Sequence, residues 1–168
     1  MRSALAIGLL AASAMTPAWT SPARAQSEVH RVRLPLTALA LSDLSFGTVL
    51  PGIPSSVSVF DAQHAGLFEI QGPHDASVRV DFLLPTALTS EEGATLPIVF
   101  GPGDGFADFS HGHPRRSRAF DPHRPVIGSL GRNGHLFVWL GGTVQPGRPQ
   151  ASGRYRATIA LTVYNLGS

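Results

Sequence analysis

Glycine and proline, 18 and 14 of the 168 residues, are scattered so evenly that they cut the chain into short apolar pieces. No stretch between them is long enough to sustain a helical period, and that spacing is the mark of an all-β chain. Eight segments read as strands: residues 30–41, 44–49, 55–60, 66–71, 77–84, 96–100, 136–145 and 155–164. Several alternate with the period of two that sends one face into a core, as in Val57 and Val59, or Val78, Val80 and Phe82 around Arg79 and Asp81. The segment from Leu136 pairs Phe137 and Trp139 with Val138 and Leu140, so it is apolar on both sides. Such a strand is either central and covered on both faces, or presents its outer face to a neighbouring chain.

The closing segment, "GRYRATIALTVYN", is the most regular. Tyr155, Ala157, Ile159, Leu161 and Val163 fall on one face and arginines and threonines mostly on the other, so the first set is the expected core face. Asn133-Gly134 is the strongest hairpin signal, and Gly141-Gly142 inside an apolar stretch implies a bulge or a close backbone approach.

The first 25 residues carry Arg2, an apolar run too short to cross a bilayer, and Ala23-Arg24-Ala25, the pattern of a cleaved secretory signal. Residues 26–168 then form one domain, expected to be exported to the periplasm or outer cell surface of a bacterium without stable membrane insertion. Arg2 and Arg24 leave with the signal, so the rest of the chain is close to neutral, and its cations are all arginines because lysine is absent. A nucleic-acid surface is therefore not expected. Cysteine is also absent, which removes disulfides, thiol catalysis and thiolate metal sites together.

Residues 101–125, "GPGDGFADFSHGHPRRSRAFDPHRP", are polar, rich in glycine and proline, and read as one long loop. His111, His113 and His123 lie there near Asp104, Asp108 and Asp121, and imidazole with carboxylate is a borderline metal set. Their spacing matches no metal motif, and ordering a flexible loop around an ion costs conformational entropy, so the expectation is a solvated loop with no metal and no cofactor. "GPGDGFAD" occurs once, whereas calcium-binding turns of that composition work in tandem. "PRRSR" is flanked by Asp108 and Asp121 and reads as a self-compensated surface. No nucleophile elbow or phosphate loop occurs, and Glu91-Glu92 diverge in a turn, so no catalytic residues are expected.

The order of "LSFGTVLPG", "GLFEIQG", "VRVDFLLPTALTSEEGATLPIVF" and "LFVWLGGTVQPGRPQASGRYRATIALTVY" resembles the domain-of-unknown-function 4402 family of bacterial secreted proteins, over nearly all of residues 26–168. Phe46-Gly47, Gly141-Gly142-Thr143 and the run from Gly153 to Tyr164 carry that resemblance. More loosely, the closing strand is similar to the ends of fimbrial subunits, including the spore-coat-U-like pilins of chaperone–usher systems. That likeness implies an immunoglobulin-like antiparallel β-sandwich of about seven to nine strands, completed by a strand from another chain.

The expectation is thus a non-enzymatic surface subunit, structural or adhesive, that assembles by strand addition with copies of itself or related subunits and a periplasmic chaperone. An incomplete sandwich exposes edge groups that an extended segment can pair with. Val32, Leu34, Leu36 and Ala38 have the spacing for that donor, and they equally suit the first strand of their own domain. The alternatives are a monomeric binding module using residues 101–125 and, last, a metal-dependent enzyme built there.

Overall fold

In a computed structural model, described for residues 35–109 and 117–167, the described residues form thirteen β-strands and no helix. The strands are β1 Thr37–Ser42, β2 Ser55–Val57, β3 Gly66–Gln71, β4 Ser77–Leu83, β5 Ala87–Ser90, β6 Thr95–Val99 and β7 Gly105–Asp108. Then follow β8 Arg118–Phe120, β9 Val126–Ser129, β10 His135–Leu140, β11 Gly142–Val144, β12 Tyr155–Arg156 and β13 Ala160–Gly167. The expected signal at residues 1–25, Val32, Leu34, His111 and His113 lie outside the described residues.

Every pairing is antiparallel, and the fold is an all-β sandwich-like arrangement. One layer has the order β1-β3-β10-β7-β8. The other is made of two sheets, β13-β4-β9 and β12-β5-β6-β11-β2. Those two sheets are joined by a pair of long strands that both change sheet at one place. Pairing stops at Arg156↔Thr89 and resumes at Ala160↔Leu83, so residues 84–88 lie opposite the shorter stretch 157–159. The surplus contains Pro85, which has no N–H to give the ladder, and the ribbon bends there as it does at a bulge.

Two apolar clusters fill the space between layers. Ile70, Val78, Val80, Phe109, Leu136 and Val138 form the first, and Leu96, Ile98, Phe100, Leu140 and Val144 the second. Burying each such side chain stabilises the fold by about 1.5–3 kcal/mol. Phe68 and Phe82 touch both clusters with their rings edge to face at 5.6 Å, tying the two ends together.

The strands are more numerous and shorter than the seven to nine expected, because single residues break the long segments. Gly141 separates β10 from β11: a Cβ there would collide with the Val57 carbonyl, so the close backbone approach admits only glycine. Residues 44–49 are not a strand, since Gly47 at φ 61° turns the backbone out of the pleat. Nor are residues 101–125 one loop. β7 and β8 pair within them and complete the first layer, with Ala107 fully buried and Phe109 in the core. The Asn133-Gly134 turn is tight, with Gly134 at φ 75°, yet it links strands of different layers: β9 pairs β4, and β10 pairs β3 and β7.

The closing segment keeps most of its expected core face. Tyr155 and Ile159 pack on the second cluster and Leu161 and Val163 on the first. Ala157 does not belong to that face; it sits at the bend where pairing lapses, and is exposed.

Candidate functional site: an open seam between two sheet edges

β1 and β13 are the outermost strands of their sheets, and their Cα atoms approach within 8 Å. Among the described residues β1 pairs only with β3, in the register Ala38↔Ile70 and Ala40↔Phe68, which turns both alanines to the core side. They are exposed nevertheless, and the Leu39 and Leu41 side chains on the outer face are 49% and 50% exposed. On the facing edge Leu161 and Val163 point inward but are only half-buried. The sandwich is therefore unsealed along this side.

The seam widens at the bend into a cavity of about 670 Å³ lined by Ala40, Leu44, Phe46, Phe68, Tyr155 and Ile159. A second cavity, about 580 Å³, shares Leu44, Phe46 and Tyr155 and reaches Val144. Residues 44–49 run between them, with Leu44, Phe46 and Val49 packed on the second cluster and the Ser45 N–H donated to the His64 carbonyl at 2.9 Å. That segment fills space in the manner of a strand without joining a ladder. Tyr155 is held firmly: its hydroxyl donates to the Ala151 carbonyl at 2.6 Å and accepts from Gln150 Nε2 at 2.7 Å.

Leu36 and Ala38, two of the four proposed donor residues, are spent within their own chain. Leu36 packs on the first cluster, directly over Gly72, where an added Cβ would lie 2.5 Å from it. Ala38 is part of β1.

At the other candidate region, His123 is set by a local turn. Its backbone N–H donates to Asp121 Oδ1 at 3.0 Å and its ring nitrogen lies 3.3 Å from the same oxygen. The backbone N–H, then the ring, then Arg124 hold the Asp121 carboxyl below the usual carboxylate range. Asp61 repeats the device with Gln63 and His64, and is lowered first of all by the Gln63 N–H. Among the described residues no three histidine, cysteine or acidic side chains come together as a metal site.

One feature escaped the sequence reading. On the outer face of the first layer the rings of Phe60, Phe106, Trp139, Phe137 and His135 form a continuous chain, with successive centroids 5.2, 6.0, 6.2 and 6.3 Å apart. His135 Nδ1 is 2.6 Å from Glu69 Oε1, and Ser117 Oγ donates to Asp108 at 3.1 Å on the same face. The only signal for it was the doubly apolar alternation at 136–140; Phe60 and Phe106 come from distant segments that the fold alone assembles.

No protein-family model matches the chain, and no curated protein matches it either.

Proposed function

We propose that this chain is a non-enzymatic, exported subunit of a bacterial cell-surface structure, structural or adhesive, and that it assembles by strand addition at the β1/β13 seam. The family resemblance noted above belongs to the same proposal, as do its partners: copies of itself or related subunits, with a periplasmic chaperone. The single observation that supports it is that Ala38 and Ala40 face the core side and are still exposed, opposite a β13 edge whose Leu161 and Val163 are half-buried. A strand lying along β13 would pair its open N–H and C=O groups and cover that apolar surface at once.

Because Leu36 and Ala38 are occupied in cis, the donor assigned here is residues 26–34, ahead of β1, with Val32 and Leu34 as the inserted side chains. Fully extended, residues 26–34 reach on the order of 30 Å, enough to run the length of the eight-residue β13. The test removes residues 26–34 and compares assembly size by light scattering and stability by thermal melting. The expected result is loss of assembly with the melting temperature falling to that of the unassembled subunit; a full-length chain that stays monomeric, or a truncated one that assembles as before, overturns the proposal.

A further inference from the structure

We propose that the outer face of the first layer is a second self-association surface, through which two copies of this chain pair face to face about a two-fold axis. This goes beyond strand addition and does not depend on it, since the seam opens on the inner side of β1 and this face lies on the outer side.

The outward positions of an antiparallel sheet that meets water are ordinarily polar. Here one row across the layer is apolar. The registers Trp139↔Leu67 and Trp139↔Phe106 set those three side chains abreast, Leu41 borders Leu67 at the irregularity in β1, and the Phe60 ring continues the row 5.2 Å from that of Phe106. Leu39 and Leu41 are half exposed and Phe60 is 76% exposed, so the apolar surface stands bare at both ends. Together these six side chains bare on the order of 500 Å² of accessible area, the size at which an apolar patch marks a protein interface. With Thr37, Gln71 and His135 along its border, the face offers close to the roughly 800 Å² of accessible area that each partner of a stable pair buries.

The rings do not form a flat platform. Phe60 and Phe106 lie at 62° to each other and Phe106 and Trp139 at 60°, so the row is ridged and suited to interdigitate with the side chains of another sheet, as facing layers of a sandwich do. A two-fold axis along the strands, between β3 and β10, lays the leucine end of one copy on the phenylalanine end of the other and sets Trp139 against the other copy's Leu67. The same axis keeps like charges apart: Glu69 on β3 falls opposite β10 of the other copy, and Asp108 on β7 opposite its β1. Glu69 is already engaged by His135 at 2.6 Å and Asp108 by Ser117 at 3.1 Å. The apolar row itself carries no ionisable group, so no charge on it directs a partner of opposite sign there, whereas a like surface matches it in polarity along its length.

The test uses the full chain carrying Ala40→Arg, which blocks the seam from the inner side of β1, and reads its size by sedimentation velocity across a wide range of concentration. Once open-ended assembly is gone, a reversible monomer–dimer equilibrium is expected that goes no further, because a two-fold pair is closed. Leu41→Glu and Phe60→Ala, both at exposed positions, are each expected to weaken the dimer tenfold or more, and Ile127→Ala on the outer face of the other layer to leave it unchanged. The chain has no cysteine, so a Leu41→Cys/Phe60→Cys variant carries only the two introduced thiols. Mild oxidation is expected to link it into covalent dimers, and to leave Leu41→Cys alone unlinked. A chain that stays monomeric at every concentration overturns the proposal, as does a dimer that both Leu41→Glu and Phe60→Ala leave intact, or a double thiol variant that does not cross-link. Failure of strand addition shows differently, as a parent chain that forms this dimer and nothing larger.

Discussion

The two long sides of this sandwich are finished in opposite ways. On the side of β7, β8 and β9 the layers are bolted together: Arg118 Nη2 donates to the Ile127 carbonyl at 2.6 Å, and its guanidinium lies over the Phe109 ring at 5.6 Å. Phe109 in turn sits so close to Gly128 that no side chain fits there. On the side of β1 and β13 the facing residues are alanines and half-buried aliphatics, and among the described residues no backbone hydrogen bond crosses from one edge to the other. A sheet edge closes when a large side chain spans the layers and a small one opposite makes room. Where only small residues stand, the edge stays available.

The comparison predicts a graded response. Phe109→Ala removes the bolt of the closed side and is expected to cost about 3–5 kcal/mol in urea unfolding. Leu161→Ala on the open side, where the side chain is only half-buried, is expected to cost about 1–2 kcal/mol, below the roughly 2–5 kcal/mol of a fully buried leucine. Equal losses would mean that the two sides are sealed alike.

Ala40→Arg puts a long charged side chain into the seam at an exposed position. Stability is expected to move by less than about 0.5 kcal/mol while assembly, read by sedimentation, disappears. A destabilised monomer would show instead that the seam is closed in solution.

The smallest effect is acid-dependent. Asp121 near the closed side and Asp61 near the open side both have carboxyls held below their ordinary value of 3.8. Each therefore stabilises the fold above that value, and the contribution fades as pH falls through the lowered one. Asp121→Asn and Asp61→Asn should each lower the melting temperature slightly at pH 6 and converge on the parent near pH 2. A difference that persists at pH 2 would place the effect in packing rather than charge.

Local period revealed much of this fold and pairing partners almost none of it. Val78 and Val80, Leu136, Val138 and Leu140, and Leu161 with Val163 all alternate plainly, and all face the core. β7 was hidden because Phe106 and Ala107 sit in a short piece between glycines and aspartates, where composition suggests a loop. The lapse of pairing at Ala157 arises from Pro85 on a partner strand far away in sequence, so no local reading could find it. The seam is harder still: Ala38 and Ala40 alternate like core residues, and only the place where the second layer stops leaves them bare.

The registers of the outermost strands also govern how the molecule bears load. Thr37 opens β1 opposite Gln71, and Gly167 closes β13 opposite Ser77, on either side of the short turn joining β3 to β4. Both ends of the described chain therefore emerge at one pole. Tension between them peels β1 from β3 and β13 from β4 one rung at a time, the direction in which a ladder is weakest. In the proposed assembly, tension carried by a strand laid along β13 would fall on many rungs together, in shear, so the described domain would give way easily when pulled at Thr37 and Gly167 and resist when pulled through a neighbour.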